Sequence, residues 1–173
     1  MMKKNNLYKA FTLIELLIVM AIIAVLATVL VIIINPAEYN RRTNDTKRLS
    51  DMQMIKSAID LAGADSNTLP DTGGVYKPIT SSVPVTDIDG NGFDIHKYLS
   101  TIPDDPSHSA SGIKGLVFDS GSCVLGTISG PLEYQLEGNG TEYHLRSFMQ
   151  STVNCDKVIE DSGNAYYQLT KIP

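Results

Sequence analysis

From Phe11 to Ile34 the chain reads F-T-L-I-E-L-L-I-V-M-A-I-I-A-V-L-A-T-V-L-V-I-I-I, 24 residues with one charge, Glu15. At ~1.5 Å rise per residue a helix of this run is about 36 Å long, enough to cross a hydrocarbon core of about 30 Å. A carboxylate inside such a segment costs roughly 2.5–3.5 kcal/mol on insertion scales, so Glu15 requires a compensating partner. Asn35-Pro36 interrupts the run, and a kink or local unwinding is expected there. Beyond it the pattern becomes amphipathic. Leu49, Met52, Ile55, Ile59 and Ala62 recur at spacings of three and four, with Met54 and Ala58 nearby. Ser50, Asp51, Gln53, Ser57 and Asp60 fall on other faces, and Gly63 is the expected stop.

Further along, the period changes to two. Leu132, Tyr134 and Leu136 alternate with Glu133, Gln135 and Glu137; Gly138-Asn139-Gly140 makes a turn. Tyr143 and Leu145 then alternate with Glu142, His144 and Arg146. This is an antiparallel hairpin with one face inward. Gly115–Asp119 and Tyr166–Leu169 read as further strands. The expected fold is α+β: a long N-terminal helix, an apolar half and an amphipathic half, packed on a small antiparallel meander.

Composition divides the chain at the same place. All 13 glycines lie at Gly63 or beyond, as do seven of the eight prolines. Residues 1–62 carry a net charge of +3 and residues 63–173 a net charge of −8. The acidic head lacks the clustered Lys/Arg that phosphate backbones need, so no direct nucleic-acid binding is expected. Arg41, Arg42, Lys47 and Arg48, interleaved with Asn40, Thr43, Asn44, Asp45 and Thr46, read as a solvated helix face; the alternative is a lipid-facing patch.

The segment ahead of the apolar run, M-M-K-K-N-N-L-Y-K-A, carries Lys3, Lys4 and Lys9 and no acid. Translocation leaves such a basic segment in the cytoplasm. A secretory signal peptide has an apolar core of only ~7–15 residues before a small-residue cleavage site. Here Leu16–Ile34 spans 19 residues and N-P-A-E-Y-N-R-R follows. A signal anchor, or an anchor processed in a special way, fits better. A cut before Phe11 would put a new amine beside the Glu15 carboxylate, or beside one on a neighbouring subunit. Opposite charges in low dielectric offset each other's desolvation.

K-A-F-T-L-I-E-L-L closely resembles the class III signal of type IV pilins and pseudopilins. The resemblance implies a prepilin peptidase/methylase that cuts between Ala10 and Phe11 and N-methylates Phe11, with Glu15 as the carboxylate that pairs with a neighbour's amine in assembly. Ala10 departs from the family's usual Gly. It also implies a division into a cleaved leader 1–10, a transmembrane and assembly helix 11–34, an amphipathic stem 35–62 and a head 63–173. The precursor would sit as a single-pass protein in the inner membrane and self-associate, on an assembly platform, into a helical filament. Family filaments serve adhesion, twitching or DNA uptake; a major pseudopilin of type II secretion is the alternative. Tyr98, Leu99, Ile102, Pro103, Asp105 and Pro106 resemble the Y-L-x-x-L-P-x-D-P segment of major pseudopilins and Gram-positive-type pilins, Ser107 standing where an aromatic residue often follows. An uncleaved, signal-anchored binding protein is a further reading; it leaves Glu15 uncompensated.

Two other features bear on chemistry. Asp87, Asp89, Asn91 and Gly92 match the first half of a D-x-D-x-N-G calcium loop. Tyr98 occupies the place of the bidentate Glu, so Asp94 or acids elsewhere would complete the shell. The competing reading is an Asx/Gly turn. Calcium is the one cofactor candidate. Cys123 and Cys155 form an even pair 32 positions apart, expected outside the membrane as a disulfide. His96, His108 and His144 are scattered, Asp104-Asp105 and Glu160-Asp161 read as solvated acids, and no nucleophile or phosphate-loop motif occurs. A structural subunit is expected, not an enzyme.

Overall fold

The computed structural model describes residues 11–66, 68–81, 93, 95–108, 112–128 and 132–171. The chain divides into two units, Met1–Tyr39 and Asn40–Pro173. In the first, helix α1 spans Leu13–Ile34 and has no buried residue. It ends at Asn35, which adopts the left-handed conformation with φ 45°. Asparagine tolerates that region better than most side chains. Pro36 then opens α2 (Pro36–Ser66), where its missing N–H costs nothing. The Asn35 carbonyl accepts the N–H groups of Glu38 at 3.0 Å and Tyr39 at 3.2 Å. The interruption expected at Asn35-Pro36 is thus a one-residue break between two helices.

In the second unit the apolar stripe of α2 is the spine of the core. Met52, Ile55, Ala58, Ile59 and Ala62 are buried against Ile79, Phe93, Ile95, Ile102, Tyr134, Leu136, Tyr143 and Leu145. Leu49 is half-buried beside a second cluster around Leu116, Met149 and Ala165, whereas Met54 faces outward. Gly63 does not stop the helix, which continues to Ser66. Its role is close approach: a Cβ there would lie 2.6 Å from Leu69 Cδ2.

The sheet contains β1 (Lys77–Ile79), β2 (Ile113–Asp119), β3 (Ser122–Ile128), β4 (Tyr134–Gly138), β5 (Tyr143–Phe148), β6 (Ile159–Asp161) and β7 (Asn164–Lys171). Neighbours run β1-β4-β5-β7-β2-β3, all antiparallel, with β6 also on β7. The expected β4–β5 hairpin is present, with Leu136 opposite Leu145 and Glu137 opposite His144. Its turn is held by the Asn139 side-chain oxygen, which accepts the N–H groups of Thr141 and Glu142, each at 3.0 Å. A simple meander is not what forms. The last strand, β7, enters between β5 and β2, because its alternating Tyr167 and Leu169 fill the α2-facing side next to β5. The β2–β3 ribbon joins β7 through one register pair, Val117 with Asn164.

Four charged positions expected in solvent are buried: Asp45, Arg48, Asp51 and Asp105. Arg146, expected on the outer side of its hairpin, is also largely covered. Its guanidinium lies between the rings of Tyr76 at 3.4 Å and Tyr166 at 4.0 Å and pairs with Asp161. That contact, chiefly its hydrogen bond, lowers the pKa of Asp161.

Candidate assembly site

The N-terminal end of α1 is closed by a reciprocal cap. Glu15 N–H donates to Thr12 Oγ1 at 3.3 Å, while Glu15 Oε2 accepts Thr12 N–H at 3.3 Å and Thr12 Oγ1–H at 3.2 Å. Thr12 has the extended backbone that an N-cap needs, φ −83° and ψ 151°. The Glu15 carboxylate is therefore held by the N-cap residue at the positive end of the helix dipole. Behind it α1 presents apolar side chains all round, including a seam of Leu17, Ile18, Ala21, Ile22, Val25 and Leu26. Phe11 and Leu13 are 82% and 88% exposed. A lone helix with this surface is stable only when lipid or other apolar segments cover it.

The amphipathic helix is tied to the sheet by a polar cluster the sequence reading missed. Arg48 is fully buried and donates through Nε to Asp105 Oδ2 at 2.6 Å and through a terminal nitrogen to Asp105 Oδ1 at 2.8 Å. It also reaches Asp45 Oδ1 at 2.9 Å and Ser107 Oγ at 3.2 Å. Burial acts to lower the Arg48 pKa, but Asp105 and Asp45 more than reverse this, leaving it above its ordinary value. Two carboxylates face one guanidinium, and backbone N–H groups together with one carboxamide share the surplus charge. Asp45 accepts Gln150 N–H at 2.9 Å, Ser151 N–H at 2.9 Å and the Asn154 carboxamide at 2.8 Å; Asp105 accepts Ser107 N–H at 2.7 Å.

The Asp105-Pro106-Ser107 turn is therefore the anchor of the Tyr98–Pro106 segment on the helix, and Ser107 contributes a hydroxyl in place of an aromatic ring. Lower on α2, the hydroxyls of Tyr134 and Tyr143 donate to Asp51 at 2.9 Å and Asp60 at 2.7 Å. Burial first, then these carboxylates, raises both phenols far above the usual tyrosine range. A signal for the cluster did exist. Asp45 and Arg48 continue the three-four spacing of Met52, Ile55, Ile59 and Ala62 toward the N-terminus, on the same inward face.

Cys123 on β3 and Cys155 form the expected disulfide, with their Cα atoms 5.8 Å apart. Asp87, Asp89, Asn91 and Asp94 lie outside the described residues. Among the described residues no three His, Cys, Asp or Glu side chains group as metal ligands. Ala10 also lies outside them.

Residues 5–31 match the family model described as the prokaryotic N-terminal methylation motif, a span that includes Ala10, Phe11 and Glu15. No curated protein matches the chain, and no solved structure does. The match falls on the apolar segment that α1 leaves uncovered and on the carboxylate at its cap. The chain thus carries a class III prepilin signal on a pilin-like α+β fold, consistent with the type IV pilin and pseudopilin family.

Proposed function

We propose that the protein is the structural subunit of a type IV pilus-like filament. The observation that carries this reading is the methylation motif over residues 5–31, coincident with a 22-residue helix none of whose side chains is buried. The motif is that of a precursor handled by prepilin peptidase, and α1 is long and apolar enough to anchor that precursor across a membrane once. Cleavage after Ala10 would leave the amine of Phe11, then methylated, one residue from the Thr12–Glu15 cap. In the membrane the cap donors blunt the desolvation of Glu15. In a filament, a neighbour's N-terminal amine pairs with that carboxylate while neighbouring α1 segments replace lipid around the helix.

Intact and fragment mass spectrometry on material sheared from the cell surface tests the reading. A polypeptide beginning at N-methyl-Phe11 is expected in that fraction. In the Glu15→Ala variant the same processed species, with its head folded, should stay in the membrane fraction. Retention of residues 1–10 in the mature protein, or normal filaments from Glu15→Ala, would overturn it. Processed wild-type protein confined to the membrane would favour a pseudopilus subunit.

A further inference from the structure

The single turn of 3-10 helix at Thr152–Asn154 is held from two sides. On one side Cys155, its C-cap, is bonded to Cys123 of β3, the edge strand of the β2–β3 ribbon. On the other, the three residues Gln150, Ser151 and Asn154 supply donors to Asp45 of α2. Asp45 in turn holds one terminal nitrogen of Arg48, whose other contacts reach Asp105 and Ser107. The whole chain of contacts runs within the second unit, from an edge strand through a covalent bond to the buried polar cluster of the helix.

Within the turn, Ser151 Oγ accepts Val153 N–H at 3.4 Å, Ser151 O accepts Asn154 N–H at 3.0 Å and Thr152 O accepts Cys155 N–H at 3.3 Å; Gln150 Oε1 also accepts from the Asn44 carboxamide of α2 at 3.0 Å. Toward the ribbon, Met149 O accepts Leu116 N–H at 2.8 Å. Val153 is 52% exposed and so does not anchor the turn in the core. A groove of about 250 Å³, lined by Asp45, Leu49, Ser151, Val153, Asn154 and other side chains, lies between the turn and α2, leaving room for it to move.

We propose that the Cys123–Cys155 disulfide is a redox-sensitive clamp that holds the Thr152–Asn154 turn against Asp45 and thereby orders the Asp45–Arg48–Asp105 cluster of the helix. The chemistry is thiol–disulfide exchange with an external dithiol. The dithiol is oxidised to its own disulfide, and the Cys123 and Cys155 sulfurs each gain an electron and a proton to become thiols. Without the bond the turn keeps its short-range hydrogen bonds, but its link to the ribbon becomes non-covalent. The N–H groups of Gln150 and Ser151 then open more often, and Asp45 loses neutralising donors beside Arg48.

The test is amide hydrogen exchange on the full-length protein in detergent micelles, with and without dithiothreitol. Reduction should speed exchange at Gln150 and Ser151 by at least tenfold and at Arg48 severalfold. Leu136 and Leu145 in the β4–β5 hairpin should change by less than threefold. The variant Asn154→Ala, which keeps the disulfide, should reproduce part of the effect at Gln150 and Ser151, and reduction should add less to it than to the wild type. Unchanged exchange at Gln150 and Ser151 on reduction would overturn the proposal. So would an equal rise across the sheet, since that reports a general gain in unfolded-chain entropy and no local clamp.

Discussion

Arg48→Met removes the guanidinium but keeps an unbranched chain of similar reach in the same buried slot. The loss is not spread evenly. Asp45 keeps the donors of Gln150, Ser151 and Asn154, whereas Asp105 keeps only Ser107 N–H among the bonds described. Removing one partner of a buried ion pair typically costs about 3–5 kcal/mol, because the remaining charge stays desolvated. With two carboxylates dependent on Arg48, and one nearly orphaned, the loss should fall in that range. Against a total stability of about 5–15 kcal/mol for a domain, this is a large fraction.

Asp105→Asn alone should also destabilise, by about 3 kcal/mol, since Arg48 then keeps one carboxylate of two. In the double variant the orphaned charge is gone, and the combined loss should be smaller than the sum of the two by about 2 kcal/mol or more. Urea unfolding of the full-length chain in micelles, followed by tyrosine near-ultraviolet dichroism, measures all three; the chain has no Trp to interfere. A loss below about 1 kcal/mol for Arg48→Met, or a cycle that is simply additive, would show that the cluster is solvated.

Two further outcomes follow from the same packing. Gly138→Ala should destabilise by about 1–3 kcal/mol, the usual cost of overpacking. Its Cβ would stand 2.2 Å from the carbonyl oxygen of Pro70, backbone that cannot swing aside, and thermal melts read the loss. A melt matching the wild type would refute the close approach. At high pH the head should lose stability through Tyr134 and Tyr143, whose folded pKa values are raised, and Tyr76, pushed up to about 12, chiefly by burial. A raised folded pKa means that the stabilisation is complete below the unfolded tyrosine value of about 10 and is lost as the pH climbs through the folded values. Phenolate absorbance should therefore show a late class of tyrosines that ionises with the loss of structure. A single reversible titration of every tyrosine near pH 10 would contradict the Asp51 and Asp60 contacts.

The parts of the fold governed by local pattern were legible before folding was considered. An apolar run of 24 residues can only be a helix that needs covering, and Asn35-Pro36 must break it, since neither residue continues a helix comfortably. Strict alternation at Leu132–Leu136 and Tyr143–Leu145 was enough to place the hairpin and its inward face. Tertiary structure decided what local pattern leaves undetermined. The helix runs past Gly63 to Ser66, and Leu69 packs where a Cβ of residue 63 would be, a contact with no signature in spacing. β7 reaches the middle of the sheet because pairing with β5 buries its apolar face. Asp45, Arg48 and Asp105 looked solvated because charge ordinarily is. Only folding brings Asp105 and the 150–154 backbone to the helix, and a buried charge is tolerable only where such partners converge.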